Sequence, residues 1–141
     1  MMTANDLSTE WCLLQNQFDS YEKYSLVIKL AAIIIAAALG IADYNAVVAA
    51  AFLLVLWGQD AIWKTFQSRI EMRLLLIEQA IAGEQNQQQH AFQFNSHYQA
   101  GSNSGLALIL EYCRQAVRPT IAFPHVLLIL LVLLELIVFS G

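Results

Sequence analysis

The chain has 141 residues, 58% of them hydrophobic against about 45–50% in soluble domains, and its mean hydropathy is +0.53. A formal net charge of −4 argues against a nucleic-acid partner, which would want a basic patch. Two cysteines, Cys12 and Cys113, without paired spacing exclude a disulfide framework or a zinc module, and the length fits a single domain, 1–141.

Leu7, Trp11, Leu14, Phe18 and Tyr21 fall at alternating spacings of four and three. That heptad stripe predicts an amphipathic helix over 7–24, and Thr3 with Asp6 fits a capping box ahead of it. No Gly or Pro separates Tyr21 from Ser25, so the helix should run on into a first span over 25–42, about 27 Å long. Lys29 lies one turn inside that span, where its stem can snorkel to the interface. Asp6, Glu10, Asp19 and Glu22 precede the apolar run, opposite in sign to a signal peptide, so the span is expected to stay in the membrane.

After a tight connection at 40–45, the stretch 44–82 reads as one helix in two solvents. A second span over 44–63 is apolar on every side in its middle, with Trp57 and Trp63 at one end as an interfacial belt. A helical extension over 64–82 then carries Lys64, Arg69, Glu71, Arg73 and Glu78 around an apolar stripe that starts at Ile62 and runs through Phe66, Ile70, Leu74, Ile77 and Ile81. Gly58 is no break inside a membrane helix. The two stripes, one at the N-terminus and one after Trp63, are expected to face each other. Asp60, four residues before Lys64, can support the helix locally.

Residues 83–105 form a Gln/Asn-rich loop holding His90 and His97, which have no cysteine or carboxylate at metal-ligand spacing. A helix over 106–118 ends at Arg114, Arg118 and Pro119, and the third span, 120–139, is dense in Leu, Ile and Val. Pro119 and Pro124 lie near its entrance, where a kink is tolerable.

Lys64, Arg69, Arg73, Arg114 and Arg118 all lie between spans two and three, which puts that connection and the N-terminus in the cytoplasm and the C-terminus outside. The stretches 7–42, 44–82 and 106–139 would then be rods of similar length, roughly 50–60 Å. The expected fold is an all-α integral membrane protein of the cell's inner (plasma) membrane. Its three long helices form an up-down-up bundle with three transmembrane spans whose helices extend into the cytoplasm. At that geometry Cys12 and Cys113 stand about 9 Å apart in height, too far for a disulfide, and the cytoplasm is reducing.

Glu135, flanked by leucines near the outer end of its span, is the polar residue hardest to explain as packing. Tyr44, Asn45 or a second copy's Glu135 could meet it. Lys29, Asp60 and His125 share one depth at the inner interface, so Asp60 is expected to bridge Lys29 or Lys64. A proton relay from His125 to Glu135 would cross about 15 Å without a polar group between, which disfavours it within one chain. No nucleophile elbow, P-loop, zincin helix or dinucleotide fingerprint is present, so neither catalysis nor a cofactor is expected.

These features predict a small non-enzymatic membrane protein, a complex subunit, scaffold or oligomeric interaction module. Its partners would be the bilayer and either its own copies or another membrane protein. The interaction face would come from Leu7, Trp11, Leu14, Phe18, Tyr21, Phe66, Ile70, Leu74 and Ile77. The alternative is a homo-oligomeric channel that uses Glu135 in the membrane. The hairpin of spans followed by a helix bearing Arg69, Arg73, Leu74, Ile77 and Glu78 resembles the SLATT modules of bacterial defence systems. That resemblance implies a membrane effector, covers only the first two spans and the helix after them, and carries no diagnostic motif.

Overall fold

A computed structural model of the protein describes residues 4–83, 92 and 105–139, and among these it is all-helical. The helices are α1 (Ala4–Ile41), α2 (Ala46–Ile81), α3 (Leu106–Ala116) and α4 (Pro119–Phe139). Two of them, α1 and α2, are long and apolar enough to cross a membrane, and α3 with α4, a pair bent by 77°, together have the length and hydropathy of a third candidate span. These are the proportions of a membrane protein. The Gln-rich tract, with His90 and His97, and Thr3 of the capping box lie outside the described residues.

The heptad stripe does not stop where the apolar run begins. On α1 it continues from Tyr21 through Ser25, Ile28, Ala32, Ile35 and Leu39, every one buried or half-buried. On α2 a matching series runs through Ala49, Leu53, Leu56, Asp60, Trp63, Gln67, Ile70, Leu74 and Ile77, again all shielded. A strict 3–4 alternation keeps one seam facing its partner along the whole length of two helices, which is why both remain single rods of about 54–57 Å. The helices pack antiparallel: Trp11 meets Glu78 near one end, Phe18 meets Gln67 further along, and Ser25 meets Asp60 beyond that.

The seam changes chemistry with height. In the polar half, Leu14, Ile70, Leu74 and Ile77 form a core with Leu7, Trp11, Phe18 and Tyr21 against it, so these residues of the two stripes face each other inside the chain and do not present the interaction face expected of them, while Ile81 is exposed. Phe66 sits beside Trp63, edge to face at 6.3 Å, and not in that core. In the apolar half the core is Ala32, Ala49, Leu53 and Val132, with Ala36 and Ala46 beside it. Small side chains let backbones approach closely where lipid supplies no hydrophobic drive for helix association.

Local chemistry sets each boundary. At the end of α1, Asp43 takes a left-handed φ of 49° while Asp43 N–H donates to Gly40 O (3.2 Å) and Tyr44 N–H to Leu39 O (3.0 Å). This is a Schellman cap with aspartate in glycine's usual place. Asn45 then caps α2, its Oδ1 accepting from Val47 N–H (2.9 Å) and Val48 N–H (3.3 Å).

One expectation is corrected: 106–139 is not a continuous rod. The chain leaves α3 at Val117, and α4 starts at Pro119 with Ile121 and Ala122 donating to Arg118 O. Proline disfavours helical backbone at the residue before it and suits the first helical position, so Arg118–Pro119 makes an elbow of 77°.

Candidate functional site

Three polar residues at seam positions, Ser25, Asp60 and His125, converge. Ser25 Oγ donates to Asp60 Oδ1 at 2.5 Å, while Lys29 Nζ stands 3.7 Å and His125 Nε2 3.4 Å from Asp60 Oδ2. Ser25, Asp60 and His125 are at most 1% exposed, and the Lys29 side chain is 19% exposed. Three helices thus meet on one carboxylate. His125 belongs to a third seam series, Ile121, His125, Leu128, Val132 and Glu135, on α4.

The His125 ring faces the carboxylate through Nε2 and turns Nδ1 away from it. Nδ1 of His125 is buried and has no hydrogen-bond partner among the described residues. Trp57 lies almost parallel to the His125 ring, 12° between planes and 6.4 Å between centroids. Its indole N–H donates to Ala116 O at 3.1 Å, satisfying one of the open carbonyls at the end of α3. Trp57 therefore ties α2, α3 and α4 together at the elbow. Chemically the cluster is a buried, hydrogen-bonded group of polar and ionisable side chains shared by three helices.

Further ion pairs and charged hydrogen bonds stack away from this cluster along the polar half. Lys64 turns to Glu22 and to Gln67 Oε1 (2.8 Å), and not to Asp60; of the two bridges expected, Asp60 takes Lys29. The Lys64 hydrogen bond, helped by that from Gln67, holds the Glu22 carboxyl below the usual glutamate range. Arg69 pairs with Glu111 of α3 at 2.9 Å. Arg73 grips Glu10 with two bonds, Nε to Oε1 at 2.9 Å and an Nη to Oε2 at 3.1 Å, and Glu10 Oε2 also accepts from Phe92 N–H at 2.6 Å. Trp11 Nε1–H donates to Glu78 at 2.9 Å.

Glu135 sits far from the Asp60 cluster, on the seam side of α4 but exposed; a Cβ placed on Gly40 would stand 3.7 Å from its Oε1. Asn45, expected as a possible partner of Glu135, spends its side-chain oxygen on the α2 cap. Cys12 and Cys113 are both free and exposed. Among the described residues no group of three or more His, Cys, Asp or Glu side chains could hold a metal ion.

Ser25, Gln67 and the Glu10–Arg73 pair were not among the sequence candidates. The signal was available for the first two: extending the spacing from Tyr21 by four lands on Ser25, and from Asp60 by seven on Gln67. Glu10 and Arg73 flank the seam, where coiled coils place interhelical charge pairs. No protein family, curated protein or solved structure matches the chain.

Proposed function

We propose that this chain is a non-enzymatic, three-span protein of the plasma membrane that holds a rigid helical stalk in the cytoplasm for a protein partner, either a second copy or another membrane protein. The polar half of α1 and α2 is the stalk, the N-terminus and the connection between α2 and α4 are cytoplasmic, and the helices run up-down-up. One observation carries this reading. The stalk's interior is closed by buried ion pairs, yet its outer surface shows Leu13, Met72 and Leu75 each more than half exposed. Large apolar side chains on the outside of a water-facing rod favour a covering partner.

The test is oligomeric mass in mild detergent together with affinity purification from the native membrane, using the parent chain and a Leu13→Glu/Leu75→Glu variant. A stoichiometric partner or a defined oligomer that the variant loses supports the proposal. A monodisperse monomer with nothing bound refutes it.

Glu135 favours a second reading, a homo-oligomeric channel, because an ionisable side chain is exposed on a helix that is otherwise apolar. The apolar half of one chain is packed shut around Leu53 and Val132, so a conduit would need several copies. Conductance in planar bilayers that Glu135→Gln alters would support it; a silent bilayer would eliminate it.

A further inference from the structure

The short helix α3 has two faces with different fates. At about 100° per residue, Glu111 and Gln115 share one side, and that side is tied to α2 through Arg69 and Ser68. Leu106, Ile109, Leu110, Cys113 and Val117 fall on the opposite side. The four apolar ones among them are between 55% and 80% exposed, and Cys113 is exposed too.

Two features say what covers this stripe. The elbow sets α3 nearly perpendicular to α4. In the proposed topology α4, apolar apart from Thr120, His125 and Glu135, stands across the bilayer as the third span, so a helix at right angles to its mouth lies along the bilayer surface. The stripe is also continuous with the lipid-ready surface of α4: Val117 leads to Pro119 and Phe123, which line an open apolar groove down α4 with Ala122, Val126, Leu127 and Leu130. Arg114 and Arg118, both exposed, flank the stripe where anionic headgroups would stand.

We propose that α3 lies in the headgroup plane of the bilayer with its Leu106, Ile109, Leu110, Cys113 and Val117 stripe sunk into the acyl boundary. The 106–118 segment is then an interfacial helix and not a free part of the stalk. This depends on the protein being in a membrane and not on the identity of any protein partner.

Cys113 sits in the middle of the stripe and is a native probe. A nitroxide on Cys113 in the Cys12→Ser protein, reconstituted in vesicles of phosphatidylcholine and phosphatidylglycerol, should collide freely with oxygen and little with a water-soluble nickel chelate. Its depth should fall about 5–10 Å below the headgroup level. In a background lacking both cysteines, Ile109→Cys should behave like Cys113, Ala107→Cys should be open to nickel, and Val55→Cys should report deep lipid. Cys113 as open to nickel as Ala107→Cys, with Val55→Cys still in lipid, would place α3 in water and overturn the proposal. A Cys113 label shut to both reagents would mean that protein covers the stripe, and would overturn it equally. Nickel access at Val55→Cys would remove the membrane reading itself.

Discussion

Asp60 is the residue on which α1, α2 and α4 agree. Asp60→Asn can keep the Ser25 hydrogen bond, but it leaves the Lys29 ammonium and the His125 ring without an anion. The expected loss is on the order of 1–3 kcal/mol, read as reduced resistance of the bundle to heat in detergent. Adding Lys29→Met to that variant should restore part of it, because the stranded charge is gone. Unchanged resistance in Asp60→Asn would show that the cluster does not hold the helices. Glu22 gives a pH signature. Its folded carboxyl ionises below the ordinary 4.5, so its stabilisation is complete above that pH and disappears as pH falls through the lowered value. Glu22→Gln should therefore flatten the stability curve below pH 4.5 and cost under about 1 kcal/mol at neutral pH, since the carboxylate is largely exposed. The common depth of Lys29, Asp60 and His125 was readable from helical rise alone. Which lysine Asp60 would take was not. Spacing offers Lys64 as a neighbour on the same helix, and only the docked position of Glu22 reveals the better competitor.

At the scale of elements, α1 and α2 owe their association to one seam with polar residues at chosen heights. The Glu10–Arg73 pair is enclosed on both sides, with side chains 4% and 2% exposed. Removing one partner, as in Arg73→Met, strands a buried carboxylate and should cost about 3–5 kcal/mol. Replacing both by leucine should cost far less, and equilibrium unfolding of the three variants separates the cases. Gly58 lies inside α2 with nothing within 4 Å of the place a Cβ would occupy. Gly58→Ala should stabilise the helix by about 0.5–1 kcal/mol, measurable in the same unfolding experiment. A loss would mean that the glycine is needed for a bend or a close approach. The α1 and α2 helices were legible because hydrophobic period and the lack of interior proline agree along their length. The α3–α4 elbow was half legible: Pro119 marks the break, but periodicity carries no information about the angle between two helices. The apolar stripe of α3 was similarly hidden in a segment too short for its period to stand out.

For the molecule as a whole, one seam runs through a polar half and an apolar half. In the polar half, Leu14, Ile70, Leu74 and Ile77 are drawn together by water's exclusion of apolar surface. In the apolar half, alanines and the Asp60 network replace that drive with close contact and hydrogen bonding. The Asp60 network lies on the seam between the two cores. Composition and the two long apolar runs revealed the membrane class; three-dimensional docking, which no single spacing encodes, supplied the convergence on Asp60. The most direct test of this account is amide hydrogen exchange along α2 with the protein in lipid nanodiscs. Protection that persists without a gap from Ala46 through Gly58 to Ile81, slowest in the apolar half and graded beyond Asp60, is the predicted result. Full exchange within seconds at every amide after Trp63 would mean that the helix ends with the lipid, and would contradict it.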